Sequence, residues 1–114
     1  MIEESAYRAR VDDTLRRIDA AFENVDPDMA ESDHAQGTLV VTFQQTHKLI
    51  LSPQAPVEQL WVAFRNRAWH FNWDQATERW LDNRGEGVEL LALVTELALR
   101  NAGVALAFDQ PAQS

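Results

Sequence analysis

Apolar residues in this chain keep one spacing, switch to a second, and then return to the first. Tyr7, Val11, Leu15, Ile18, Phe22 and Val25 recur at steps of three and four, which at about 100° per residue confines them to one stripe of a helix. This predicts an amphipathic helix over roughly residues 4–24. It should end at Asp26-Pro27, because proline disfavours the α conformation in the residue before it. From Leu39 the period is two: Leu39, Val41 and Phe43 alternate with Val40, Thr42 and Gln44, the pattern of a half-buried strand. Gln45-Thr46-His47 reads as a turn and residues 48–51 as a returning strand, with Pro53 and Pro56 breaking the ladder because proline cannot donate to it.

The strand over residues 57–65 sets Leu60, Val62 and Phe64 on one face. After a turn at Asn66-Arg67, Trp69, Phe71 and Trp73 are expected inward, with His70 and Asn72 outward; Arg79-Trp80-Leu81 is a short fifth strand. The polar linker over residues 28–34 has room for one more short edge strand. Asn83-Arg84-Gly85-Glu86 fits a capping box. The second helix is therefore expected over roughly residues 86–101, with a stripe of Leu90, Leu91, Val94, Leu97 and Ala98. Gly103 stands where a left-handed helix stop belongs. Residues 104–108 form an apolar tail expected against the helices, and residues 109–114 are expected to fray.

The order α-β-β-β-β-β-α defines an α+β fold. Short connections make the sheet antiparallel, and two helices with one apolar stripe each can cover only one of its faces. The other face is left to water. A length of 114 residues suits one domain spanning residues 1–114.

The chain has no cysteine, which excludes disulfides, thiolate metal sites and a cysteine nucleophile. Any metal must be held by oxygen or imidazole. A formal charge of -8 opposes binding to nucleic acid or anionic membranes. No stretch approaches the roughly 20 apolar residues of a membrane span, and the first residues lack the pattern of a signal peptide, so a cytoplasmic location is expected.

The charge is local. Between Ile18 and His47 lie six carboxylates and no Lys or Arg: Asp19, Glu23, Asp26, Asp28, Glu31 and Asp33. Carboxylates at a helix C-terminus oppose its dipole and repel one another. Carboxylate oxygens suit hard cations, but this spacing encloses no single ion, so several open, weak sites are expected. His34 extends the row, and imidazole is a fair metal ligand. Asp12 and Asp13, by contrast, sit three or four residues from Arg8, Arg16 and Arg17, the spacing of ordinary surface ion pairs. Trp61 is out of phase with the core positions and should stand on the open face among Gln59, Arg65, His70 and Asn72. A large aromatic flanked by polar groups reads as an interface anchor, unless a neighbouring side chain covers it.

The run Gln54-Ala55-Pro56-Val57-Glu58-Gln59-Leu60-Trp61-Val62-Ala63, the triplet Trp69-His70-Phe71 and Gly85-Glu86 before the last helix resemble the frataxin family, specifically its bacterial CyaY type. The resemblance covers nearly the whole chain. Ser52 stands where the family usually has Asn, Arg67-Ala68 where a Gly-Gly turn is frequent, and Ala30, Ser32 and His34 thin the acidic segment. The resemblance implies an α-β sandwich that weakly binds ferrous and ferric iron on the acidic ridge. It also implies docking on the cysteine desulfurase and scaffold protein of iron-sulfur cluster assembly, whose rate it modulates, by a protein monomeric without iron. Metal contacts are then assigned to Asp19, Glu23, Asp26, Asp28, Glu31, Asp33 and His34, and partner contacts to Glu23, Asp26, Asp28, Gln59, Trp61, His70 and Asn72.

No phosphate loop, nucleophile elbow or zinc-protease helix is present, so the protein is expected to bind rather than to catalyse. A docking module with incidental iron is the alternative, and a ferroxidase a third reading.

Overall fold

A computed structural model describes residues 4–108. The first helix, α1, spans Glu4–Phe22. Six strands follow: β1 (Ala30–Ala35), β2 (Thr38–Phe43), β3 (His47–Gln54), β4 (Gln59–Phe64), β5 (Arg67–Asp74) and β6 (Arg79–Asp82). The second helix, α2, spans Leu90–Ala102. Neighbours in sequence are neighbours in the sheet, and every pair is antiparallel.

The linker strand does form. Ala30 to Ala35 pair with Phe43 to Thr38 through a two-residue turn at Gln36-Gly37, both with positive φ (56° and 80°). That turn carries the right-handed twist of its strands, and glycine takes the second left-handed position without steric cost. With it the order becomes α-β-β-β-β-β-β-α, one strand more than the five-strand order.

Both helices lie on one face. Tyr7, Val11, Leu15, Ile18 and Phe22 of α1 are buried with Leu39, Val41, Phe43, Leu49, Leu51, Leu60, Val62, Phe64, Trp69, Phe71 and Trp80 of the sheet. From α2 come Leu90, Val94, Leu97, Ala98 and Ala102. Each fully buried large aliphatic contributes about 1.5–3 kcal/mol, which makes this layer the dominant stabilising element. Two polar bonds fix the register of α1 on the sheet. Thr14 Oγ1 accepts from Trp80 Nε1 at 2.9 Å, and Tyr7 Oη donates to the Gln59 carbonyl at 2.7 Å. Desolvation by burial pushes the Tyr7 phenol above its usual pKa.

Several expectations are corrected. Proline does not end β3 at Leu51: Pro53 pairs with Leu60 and the ladder runs to Gln54, so the break comes in the 3-10 turn Ala55–Val57. The following strand accordingly begins at Gln59 rather than at residue 57. His47 is the first residue of β3, not part of a turn. Trp73 is only half-buried, and the cover it has includes the Arg10 guanidinium of α1, 5.0 Å from the ring centroid.

The capping box at Asn83-Glu86 does not form. The chain first turns through Gly85 and Gly87 (φ 74° and 76°), and the helix starts four residues later than expected, with Glu89 as its cap. Glu89 carboxylate oxygens accept from Leu91 N at 2.8 Å and Ala92 N at 3.1 Å. At the other end Gly103 has φ 67° and closes α2 as expected. Val104, Leu106 and Phe108 pack on the core, whereas the fraying expected at residues 109–114 lies outside the described residues.

Replacing Glu89 by Ala should lower the unfolding free energy by about 1 kcal/mol, the ordinary worth of an N-cap. Asn83→Ala should stay within about 0.5 kcal/mol of the parent, since its side chain is exposed. Urea denaturation of the two variants checks both; equal losses would restore the capping box.

Candidate functional site

Two surfaces emerge from this packing, one at the sheet edge beside α1 and one on the uncovered face. The edge surface begins on the flank of α1 with Asp19, half-buried, and Glu23 just past the helix end. Asp19 accepts a hydrogen bond from Ser32 Oγ of β1, which ties the helix to the edge strand. Between them runs a tight turn. Asp26 Oδ1 accepts from Asp28 N at 2.9 Å, and the Asp26 carbonyl accepts from Met29 N and Ala30 N, so Asp26 caps its own turn in the way typical of this residue. Asp28 Oδ1 accepts from Gln45 Nε2 at 3.0 Å across the β2–β3 connection.

Strand alternation then divides the row. Ser32 and His34 pair with the core residues Val41 and Leu39 and so project on the helix side. Glu31 and Asp33 project on the opposite side, beside Thr42 and Val40. What reads in sequence as one line is a band wrapped around an edge strand. Among the described residues, no three Asp, Glu or His side chains come close enough together to hold one metal ion. Of the surface pairs expected on α1, Arg16 meets Asp13 at 2.9 Å, whereas Arg8 turns instead to Glu4 at 3.1 Å.

On the uncovered face, register places Ser52, Trp61 and His70 in one row across three strands, and Gln59 beside Asn72 in the next. Trp61 and His70 stack, their ring centroids 4.3 Å apart and their planes at 11°. Trp61 Nε1 donates to Gln59 Oε1 at 2.8 Å, and Gln59 Nε2 donates to Asn72 Oδ1 at 3.2 Å. Gln59, Trp61, His70 and Asn72 therefore do form one array. Arg65 stands in the β4–β5 turn with φ 58°. One ring face of Trp61 is covered by His70, leaving the indole half-exposed. Beside this row lies another: Asp33, Val40, Ile50, Ala63 and Ala68. Ile50 is 37% exposed and both alanines are exposed, so the row is a low apolar lane next to the Trp61–His70 stack. Period-two alternation carries the signal for it, since Val40, Ile50 and Ala63 are apolar residues in the outward phase of their strands. Ser32 and Gln45 could not be found that way, since their partners are remote in sequence.

A concavity of about 510 Å³ lies between α1, the β5–β6 turn and the start of α2. Arg10, Arg17 and Arg79 line it together with Asp13, Glu78 and Glu89, so its charges balance.

The family model described as a frataxin-like domain matches residues 1–103. The chain belongs to the frataxin-like family. A relative from Azotobacter vinelandii named iron-sulfur cluster assembly protein CyaY is 37% identical over 109 residues, covering 94% of this chain and 96% of the relative. One of the same name from Pseudomonas aeruginosa is 35% identical over 100 residues, covering 88% and 91%. Among solved structures, frataxin from Psychromonas ingrahamii superposes with a TM-score of 0.84 at 21% identity, over 96% of this chain and 100% of that one. The yeast Saccharomyces cerevisiae frataxin gives 0.70 at 19% identity, over 83% and 80%. These likenesses agree on one architecture, two helices on one side of an antiparallel sheet. Among the described residues of this frataxin-like chain, no helix is long and apolar enough to cross a membrane.

The acidic band has a cost that can be measured. In Asp26→Asn/Asp28→Asn each side-chain oxygen remains able to accept its present hydrogen bond while two repelling charges disappear. The double variant should melt higher than the parent, by a few degrees, and respond less to added salt. Thermal scans at two ionic strengths check this; a lower melting temperature would mean the charges are compensated.

Proposed function

We propose that this protein binds iron weakly on its acidic band and regulates or supplies iron to iron-sulfur cluster assembly by docking on the cysteine desulfurase and its scaffold protein. The reading rests chiefly on one observation, a band of six carboxylates, Asp19 to Asp33, uninterrupted by any Lys or Arg and wrapped around an edge strand. The names of the relatives place those proteins in iron-sulfur cluster assembly, which supports the same role here.

Open carboxylates take ferrous or ferric ions while the ions keep most of their water, so binding is weak and exchange fast. The same charges project a field over about a Debye length, roughly 8 Å at physiological salt, and steer a basic protein surface toward Glu23, Asp26 and Asp28. Metal and desulfurase then compete for one set of charges. Trp61 and its polar neighbours on the uncovered face meet the scaffold separately. In this scheme the protein holds and presents iron as a binder, and oxidation of ferrous iron, which would need an oxidant to take the electron, is not one of its steps.

A second reading has its own support. Asp19, Asp26 and Asp28 already accept hydrogen bonds from Ser32, the Asp28 amide and Gln45, which suits a shaped electrostatic surface with incidental iron. Anaerobic titration of ferrous iron into labelled protein separates the two. Paramagnetic broadening should centre on residues 19–33 with micromolar or weaker affinity, and broadening centred on His70 or spread evenly would remove the acidic band as the iron site.

Docking has a separate test. Reversal of Glu23, Asp26 and Asp28 to Lys should slow association with the desulfurase at least tenfold at low salt and less at high salt, with dissociation little changed. Trp61→Ala should leave that association intact and weaken the scaffold complex. Surface plasmon resonance at two salt concentrations measures both, and unchanged association of the triple variant would reduce the band to a solvated edge.

A further inference from the structure

The polar chain on the uncovered face has a direction, and its direction is forced. An indole N–H can only donate. Gln59 must therefore turn its carbonyl oxygen to Trp61, as it does at 2.8 Å, and this aims its amide nitrogen at Asn72, whose side-chain oxygen accepts at 3.2 Å. Asn72 is exposed, and with its oxygen held inward its amide N–H groups are the end turned to water. Gln59 itself has both ends of its amide engaged within the protein. Its main chain is held as well, by the Tyr7 phenol at 2.7 Å. On the far side of the indole, His70 lies flat against the ring at 4.3 Å and 11°. Gripped by Gln59 at its nitrogen and by His70 on one face, Trp61 presents one fixed surface.

We propose that Gln59 is a positioning residue for the docking face rather than a contact residue. It locks the Trp61 rotamer and orients Asn72, so that a partner must meet Asn72 with a hydrogen-bond acceptor such as a backbone carbonyl or a carboxylate. Pre-organisation of this kind strengthens binding by removing the cost of ordering a large side chain on contact. The inference rests on the reading that this face docks the scaffold protein, but it has a readout in the free protein.

Three variants separate the roles. Gln59→Leu keeps bulk and removes both hydrogen bonds. The Trp61 indole N–H should then exchange with solvent at least tenfold faster in NMR of the free protein, and affinity for the purified scaffold protein should fall about fivefold. Gln59→Glu keeps an acceptor for the indole and should return Trp61 exchange to the parent rate. Asn72→Asp still accepts from Gln59 but offers no donor outward; it should leave Trp61 protected while scaffold affinity drops about tenfold. An indole as protected in Gln59→Leu as in the parent would overturn the positioning role, and undiminished scaffold binding by Asn72→Asp would overturn the assigned polarity. If Trp61→Ala binds the scaffold as tightly as the parent, the docking reading itself fails, while exchange in the free protein still decides what Gln59 does.

Discussion

The stripe of Tyr7, Val11, Leu15, Ile18 and Phe22 lies across the inner face of the sheet, and the buried bond from Trp80 to Thr14 sets where along the sheet it rests. Helix α2 fills the remainder of the same face with Leu90, Val94 and Leu97. Two helices exhaust the apolar surface available for covering a sheet, so six strands are buried on one side and wet on the other. Both surface features follow from that one-sidedness: the uncovered face carries the Trp61–His70 stack, and the edge next to α1 is where helix and strand charges gather.

At that edge two demands meet. An exposed edge strand invites pairing with another chain, and charged side chains are a common defence. Glu31 and Asp33, projecting away from the helix, serve that purpose whatever else they do. Asp19, Asp26 and Asp28 differ, because each is built into the structure by a hydrogen bond from Ser32, the Asp28 amide or Gln45. With no Lys or Arg between Ile18 and His47, they concentrate negative charge at this edge. The bonds from Ser32 and Gln45 hold the Asp19 and Asp28 carboxylates in fixed places.

The open face works by a different physics. Its cross-strand rows are set by antiparallel register, and a shift of one residue would turn Trp61 into the core and Leu60 out to water. Within the correct register the array is polar, directional and shallow, and it borders the apolar lane of Ile50, Ala63 and Ala68. Flat contact with a pre-organised aromatic suits protein recognition better than capture of a small molecule.

Much of this was legible in one dimension. Helical spacing from Tyr7 to Phe22, alternation from Leu39 to Phe71 and the glycine at 103 specify their elements locally, because each reports a backbone geometry within a few residues. The carboxylate row and the outward phase of Gln59, Trp61, His70 and Asn72 were readable for the same reason. The start of α2 was not: Asn83 and Glu86 have the right spacing for a cap, but two left-handed glycines and a bridge between Leu81 and Glu89 hold that segment against β6 and delay the helix to Glu89. Nor could spacing tell that Pro53 would sit inside a ladder beside Leu60. Which residues are apolar, where the periods change and where charge accumulates are properties of the chain and could be read from it directly. Tertiary structure alone decided that Ser32 reaches Asp19, that the acidic row splits across an edge strand, and that Gln59 joins Trp61 to Asn72, because those pairings depend on which strands and helices the hydrophobic layer brings side by side.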